Sequence, residues 1–447
     1  MTSAHRVQPQ RLSQPIDDSE KAVGAAEWWN AGMVILGEVM GTGVLGLAGH
    51  ATGLGYLIAF PAMVIFGFTS TYSGLLLCRC KVDLFAGEGV GGYGDLATTV
   101  GGPIFGAFTK FMIVINWYLL MPYYLVASGG SLSVVAPDAP VCGYIWTLMM
   151  AILILPPMQF TTLTEVSLLC GASTAAIIIV IFLIIVQLMM DGPEGGSFGA
   201  NWDAISPDIT PLGFFGSLSS FVFAYQGQDI FCEIISEMRE EKDAPKAIGM
   251  SYGLMTFVYS ITTVLAYGMK GRDVQGFLPD AITGGGLTQF VGVLLFFHIL
   301  TAYLCIGIPF LNVMHAKFSA CGCFGAIHEG SVGARVAWFI ISLITVATTY
   351  LLAAAFPFFD ALQVLLGALA GAPIVFGWPA MFYLLGCRMK GVAVGCFDLI
   401  MCIIYFACTL LFGILGTMDA VGYVNEMLND PNVHVGFDCV LGGDGGE

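Results

Sequence analysis

Residues 36–45, LGEVMGTGVL, interrupt an apolar run that extends from about 28 to 49. Gly41-Thr42-Gly43 forms the interruption, and Glu38 lies one turn earlier. A second apolar run, 212–237, carries YQGQD at 225–229 in its middle. Non-helical backbone and carboxylates are tolerated at membrane depth only where they are buried in protein or line a cavity. Interrupted spans at matching places in the two halves of a membrane chain predict the substrate site of a secondary transporter.

The composition places the chain among membrane proteins. Of its 447 residues 57% are hydrophobic and only 10% are charged, with a mean hydropathy of +0.85. This predicts an all-α, polytopic protein whose partner is the lipid bilayer, and we expect a monomer. The net charge of −16 argues against nucleic acid as a partner. The 13 cysteines show no spacing that indicates a disulfide framework.

The hydropathy pattern predicts about eleven transmembrane helices, since a span needs about 20 apolar residues. Residues 1–26 are polar and predict a disordered cytoplasmic tail, 27–418 form the transmembrane domain, and 419–447 predict an acidic, non-cytoplasmic tail. The predicted spans are 28–49, 56–79, 104–133, 142–161, 165–190, 212–237, 245–269, 287–316, 333–356, 361–386 and 394–418.

The distribution of Lys and Arg predicts the orientation. With the N-terminus in the cytoplasm, all of the 15 Lys and Arg residues except Lys270 and Arg272 fall on the cytoplasmic side. Eleven spans with breaks in spans 1 and 6 then predict a leucine-transporter-like fold, a 5+5 inverted repeat with one extra helix. The repeat is not visible at the level of single residues, so this prediction depends on topology and on the positions of the breaks.

The two breaks predict how a zwitterion would be bound. The amides of Gly41, Thr42 and Gly43 lie at the positive end of a half-helix, where a carboxylate is favoured. The carbonyls around Tyr225-Gln226-Gly227 can accept an ammonium group. The alternative is that these glycines only permit close helix packing.

Further polar residues in the spans are candidates for the same cavity. Asn116 in span 3 and Tyr303 in span 8 are candidate substrate contacts, with an interhelical hydrogen bond as the alternative for each. Glu38 and Asp229 are the candidates for proton coupling, because an ionisable group inside a span is costly to bury. For Glu38 the alternative is a protonated or paired structural glutamate.

Four stretches resemble the amino acid/auxin permease family of the wider amino acid–polyamine–organocation superfamily. They begin at Gly41 (GTGVLGL), Tyr93 (YGDL), Phe223 (FAYQG, with Glu233 and Ser236-Glu237-Met238) and His298 (as far as Pro309-Phe310). The resemblance covers roughly 27–418 and implies amino acid transport driven by protons.

Two departures from the family pattern bear on the coupling ion. The chain reads Leu47-Ala48-Gly49-His50 where the family has a proline. Ala302 stands where relatives often have a small hydroxyl residue that could bind sodium. The adjacent Thr301 is therefore only a weak sodium candidate, and no other metal site is predicted.

The predicted function is therefore a secondary active transporter of neutral amino acids, coupled to protons and working by alternating access. The alternatives are a non-transporting amino acid sensor of the same fold, or a sodium-coupled or uncoupled transporter. The spans contain no nucleophile–base motif and no metal-ligand cluster, so neither an enzyme nor a cofactor is expected. The sequence is compatible with the plasma membrane and with a vacuolar or lysosomal membrane.

Overall fold

The computed structural model describes residues 26–162, 166–282, 285–319, 331–356 and 358–429, and within these ranges the chain folds into fifteen α-helices. Apart from Ala26, the predicted cytoplasmic tail lies outside the described residues. The helices are α1 Trp28–Val39, α2 Val44–Leu54, α3 Tyr56–Cys78, α4 Tyr93–Val135, α5 Gly143–Ile154, α6 Ser167–Asp191, α7 Pro211–Ala224, α8 Phe231–Ser236, α9 Ala244–Lys270, α10 Gly286–Ser319, α11 Val332–Ala355, α12 Phe359–Leu366, α13 Trp378–Lys390, α14 Cys396–Leu411 and α15 Thr417–Asn429.

The described helices confirm an all-α, polytopic membrane protein. Eight helical segments are long and apolar enough to cross a membrane, and α1 with α2, bent by 62°, makes a ninth. Large apolar side chains such as Ile104, Phe182 and Leu410 are exposed on their outer surfaces, as expected where helices meet lipid. The total of eleven spans stays a prediction, because α5 has only 12 residues and α7 and α8 are separated by a break.

Three helix boundaries differ from the predicted spans for identifiable reasons. The helix of span 3 begins early, at Tyr93, and kinks at Gly102, whose φ of 81° suits glycine and which precedes a proline. The helix of span 4 ends at Ile154, just before Pro156-Pro157. The last helix continues through π-helical turns to Asn429, so the first part of the predicted C-terminal tail is helical.

The packing brings the two broken spans together. The paired helices α1 and α2 lie against α9, while α7 packs on α2 and α12. An added Cβ on Gly367 would lie 1.9 Å from the carbonyl oxygen of Ser219. Glycine at this position therefore allows the backbone just after α12 to contact the backbone of α7 directly. Before α1, Ala26 forms a parallel β-bridge with Met238, and Glu27 forms an ion pair with Arg239 at 3.1 Å.

One cysteine departs from the sequence prediction. Cys142, at the start of α5, is disulfide-bonded, whereas the cysteine spacing indicated no disulfide framework. The other cysteines of the described residues are free. Spacing could not reveal this bond, since a single disulfide joins positions that only the fold brings together.

Asp398, at the start of α14, joins three parts of the bundle. Its carboxylate accepts hydrogen bonds from Tyr72, from Tyr383 at 2.7 Å and from the guanidinium of Arg79 at 2.9 Å. Side-chain hydrogen bonds to a charged group contribute about 1.5–3 kcal/mol each, and donors left without an acceptor cost further free energy.

Asp398→Ala is therefore expected to lower the free energy of unfolding by at least about 2–3 kcal/mol, measured by thermal unfolding in detergent. Asp95→Ala is the matched control: its ion pair with Lys110 is half exposed on both sides, and such pairs contribute below about 1 kcal/mol. Equal melting temperatures for the two variants would contradict this assignment.

Candidate functional site

The break in the first span leaves amide groups without partners. Between α1 and α2, Gly41 donates its N–H to the carbonyl of Val39 at 2.8 Å. The amides of Thr42 and Gly43 donate to no acceptor within the described part of the chain. They stand at the N-terminus of α2, where the helix dipole is positive. This arrangement suits a carboxylate, as the sequence predicted.

The break in the second span is held by tyrosines. After α7 the backbone is extended at Gly227, and the Gly227 N–H is bonded to the side chain of Gln228 at 3.0 Å. The carbonyl of Ala224 accepts from Tyr259 at 3.1 Å, and the carbonyl of Tyr225 accepts from Tyr252 at 3.0 Å. Two of the carbonyls predicted for an ammonium group therefore already serve to fix the break, although each oxygen has a second lone pair.

The two breaks touch each other, and glycine makes this possible. A Cβ added to Gly43 would lie 3.1 Å from the Cα of Ala224, and one added to Gly227 would lie 2.2 Å from Cγ2 of Val39. A Cβ on Gly41, in contrast, would find only Nε2 of His298, at 3.9 Å. Gly43 and Gly227 therefore serve helix packing, while Gly41 borders open space.

That open space is a cavity of about 80 Å³, several times the 10–15 Å³ that one water requires. Its lining includes most of the residues that the sequence singled out, namely Glu38, Gly41, Thr42, Gly43, Asn116, Gln226, Gly227 and Asp229. Residues from spans 1, 3 and 6 thus meet at one point, where the two breaks lie.

Two amide side chains that line the cavity have oxygens without a hydrogen-bond partner in the described structure. Asn116, which is 1% exposed, has no hydrogen-bond partner for Oδ1, and Gln226 has none for Oε1. Buried polar atoms in native proteins are nearly always paired with protein, water or ligand. These two atoms are therefore candidates for binding a polar ligand.

Two carboxylates face the same cavity. Asp229 is buried and lies beside the indole of Trp117. Glu38 lines the cavity but is an exposed residue of α1, unlike the buried carboxylate that the sequence suggested, and it is close enough to Asp229 for their charges to interact. Two nearby carboxylates repel each other when both are ionised. A proton or a bound ammonium group relieves that repulsion.

Three predicted residues lie elsewhere. Tyr225 is fully buried and donates to the carbonyl of Met63 at 3.1 Å. The hydroxyl of Tyr303 pairs with that of Thr349 at 2.9 Å. Thr301 donates to the carbonyl of its own helix at Phe297. The structure does not bring these side chains to the cavity, and their roles stay predictions.

The lining also contains residues that the site prediction did not include. Trp117 and Tyr124 come from α4 and Ile306 from α10, and the remaining lining positions are apolar: Val39, Leu120, Phe223 and Ile230. For Trp117, the one sequence signal that could have indicated a lining residue is its position next to Asn116. An isoleucine in an apolar helix carries no signal of this kind, because every face of that helix is apolar.

Comparison with known proteins identifies the family of the chain. The model of a family described as "Transmembrane amino acid transporter protein" matches residues 24–421. The chain belongs to this family, the amino acid/auxin permeases. Membership in this family supports amino acid transport as the function of the chain.

Several relatives cover most of the chain. It is similar to Amino acid transporter ANT1 of Arabidopsis thaliana, with 26% identity over 87% of this chain and 90% of that protein. Lysine histidine transporter-like 4, also of Arabidopsis thaliana, is 22% identical over 87% of this chain and 86% of its own length. The vesicular inhibitory amino acid transporter of Xenopus laevis is 23% identical, over 83% and 72% respectively.

Proposed function

We propose that this family member is a secondary active transporter that moves neutral amino acids together with protons by alternating access. The observation that carries the proposal is the cavity at the meeting point of the two breaks. It combines the free amides of Thr42 and Gly43 with the carboxylates of Glu38 and Asp229. A zwitterion offers one complementary group to each of these pairs.

The rest of the lining favours a neutral side chain. Five of its residues are aliphatic or phenyl side chains, and Lys and Arg are lacking from the described lining. An acidic side chain would add a third carboxylate to the cavity without a cation to pair with it. Once the substrate ammonium engages one carboxylate, the other is left to hold a proton.

The transport cycle proposed here uses the broken spans as the moving parts. Spans 1 and 6 rock with their partners against spans 3 and 8, so that the cavity opens to one side at a time. The break at Gly41-Thr42-Gly43 separates two half-helices bent by 62°, which can change angle without disrupting either.

The N-terminus is assigned to the cytoplasm. The distribution of Lys and Arg supports this orientation, and the disulfide at Cys142 falls on the opposite side, where oxidising conditions prevail. Epitope tags on the two ends should be accessible from opposite sides of the membrane, and access to both from one side would refute the assignment.

Substrate recognition can be tested by competition against uptake of labelled alanine into proteoliposomes. Other neutral amino acids should compete. Alanine amide lacks the carboxylate and lactate lacks the ammonium group, so each should compete at least tenfold less well, because a lost hydrogen bond to a charged group costs about 1.5 kcal/mol or more.

Two outcomes would count against the proposal. Competition by alanine amide as strong as by alanine would show that the amides of Thr42 and Gly43 do not bind the carboxylate. Binding of neutral amino acids without any uptake would favour the sensor over the transporter.

A further inference from the structure

A second group of unpaired polar atoms lies on the outer side of the breaks, away from the central cavity. Four side-chain atoms there are buried without a hydrogen-bond partner in the described structure: Nε2 of His50, Oδ1 of Asp360, Oε1 of Gln363 and the hydroxyl of Tyr123. They come from three helices, since His50 is on α2, Tyr123 on α4 and the other two on α12.

Contacts between α2 and α12 show how these atoms follow one another from the central break towards the outer side. Gln363 donates to the carbonyl of Gly43 at 3.0 Å, and its Oε1 would lie 2.0 Å from a Cβ on Gly46. One turn earlier on α12, the Asp360 carboxylate lies against Gly276, since a Cβ there would be 1.7 Å from Oδ2. Gly276 in turn packs on Gly49, the neighbour of His50.

Tyr123 connects this group with the central cavity. Its ring is fully buried and stacks on Phe359 at 4.8 Å between ring centres. Its hydroxyl lies near the side chain of Thr42 and within electrostatic range of Asp360. Since Thr42 lines the central cavity, the four atoms lead from that cavity towards the outer ends of α2 and α12.

Charged groups surround the outer end of this path. Asp360 interacts electrostatically with His50 on α2, Asp280 in the loop before α10, Tyr123 on α4 and Tyr423 on α15. Burial, together with the neighbouring Asp360, raises the pKa of Asp280 in that loop to about 6.

We propose that His50, Asp360, Gln363 and Tyr123 hold a file of internal water that carries the coupling proton between the outer face and the central cavity. Buried polar atoms that lack protein partners are normally satisfied by ordered water. Ionisable residues inside spans are typical of proton relays.

The proton balance of the path is simple. Asp360 takes one proton from a hydronium ion at the outer face, which leaves water, and gives one to a water molecule on its inner side, which becomes hydronium. The Tyr123 hydroxyl accepts a proton from that water while it donates its own towards the cavity, so that it remains neutral. Glu38 receives the proton, and Asp360 returns to its carboxylate form.

Water in the path can be tested without any transport assay, by hydroxyl-radical footprinting of the intact protein with mass spectrometry. Tyr303 is the matched control, because it is equally buried but its hydroxyl is paired with Thr349. Tyr123 should be oxidised severalfold faster than Tyr303. Equal rates would show that the path holds no water and would overturn the proposal.

The transport test uses Asp360→Asn and His50→Gln, with Asp273→Asn in the exposed outer loop as control. This inference rests on the proposed function, because the path can carry a coupling proton only if transport is coupled to protons. We expect both path variants to lose proton-driven uptake severalfold and to depend less on outer pH, while exchange at equal pH persists. The control should behave as the wild type.

The two proposals fail in different ways in this test. Wild-type uptake that ignores the proton gradient would overturn proton coupling itself, and with it the purpose of the path. Wild-type coupling that persists unchanged in Asp360→Asn and His50→Gln would overturn the path alone.

Discussion

Gly41→Val is expected to reduce uptake by about two orders of magnitude while the protein still folds. A Cβ at this position meets only His298, at 3.9 Å, so the added methyl groups extend into the cavity and cover the amides of Thr42 and Gly43. Loss of two hydrogen bonds to a charged group, each worth about 1.5 kcal/mol or more, corresponds to about hundredfold, because 1.4 kcal/mol is a factor of ten. Initial uptake rates in proteoliposomes, with protein amount measured by size-exclusion chromatography, provide the readout.

One exposed glycine, on α9, provides the control for this experiment. Gly249→Val places the same bulk on an exposed face of α9 with nothing within 4 Å, and should leave uptake unchanged. Gly43→Val is a poor test, since its Cβ lies 3.1 Å from the backbone of Ala224 and would disturb the packing of the breaks. A folded Gly41→Val protein with wild-type apparent affinity would show that this break serves packing only.

Neutralising a coupling carboxylate is expected to remove concentrative uptake but not exchange. Under an inward gradient of one pH unit and zero membrane potential, one-to-one coupling permits about tenfold accumulation, since that gradient is worth about 1.4 kcal/mol. Glu38→Gln or Asp229→Asn should bring the accumulation ratio to about one, because the amide cannot take up a proton. Exchange of labelled for unlabelled substrate needs no net proton movement and should continue.

Glu237→Gln is the matched control for the carboxylates. Glu237 follows α8, is exposed and does not line the cavity, so its neutral variant should accumulate substrate like the wild type. Should Glu38→Gln and Asp229→Asn both still concentrate substrate, neither residue carries the proton. Sodium bound through span 1 carbonyls and Thr301 would then be the hypothesis to test.

The sequence predicted the fold's main feature because interrupted spans are visible in one dimension. Gly41-Thr42-Gly43 and Tyr225-Gln226-Gly227 stand out against apolar surroundings, and both are breaks in the structure. Helix length was harder to predict. The early start of α4 at Tyr93 and the run of the last helix to Asn429 lie in sequence of mixed polarity, where hydropathy marks the membrane region and not the helix end.

Within the candidate site, the sequence could predict which side chains lie at the cavity only where a residue's position in the chain fixes its orientation. Residues in or beside a break, such as Glu38, Gln226 and Asp229, line the cavity because the break itself lies there. Tyr303 lies in a helix that is apolar all round, so its face could not be read from periodicity. The electrostatic neighbourhood of His50 and Asp360 was equally invisible, because these residues are far apart in the sequence and only the fold brings α2 close to α12.

Accumulation of a neutral amino acid by the purified wild-type protein, with and without an inward proton gradient, tests the central claim most directly. Labelled alanine is followed in proteoliposomes free of sodium, with a protonophore added at the plateau. The account predicts accumulation above equilibrium only with the gradient, and release of the excess when the protonophore is added. Uptake that reaches the same equilibrium level with or without the gradient, or accumulation that requires sodium, would contradict it.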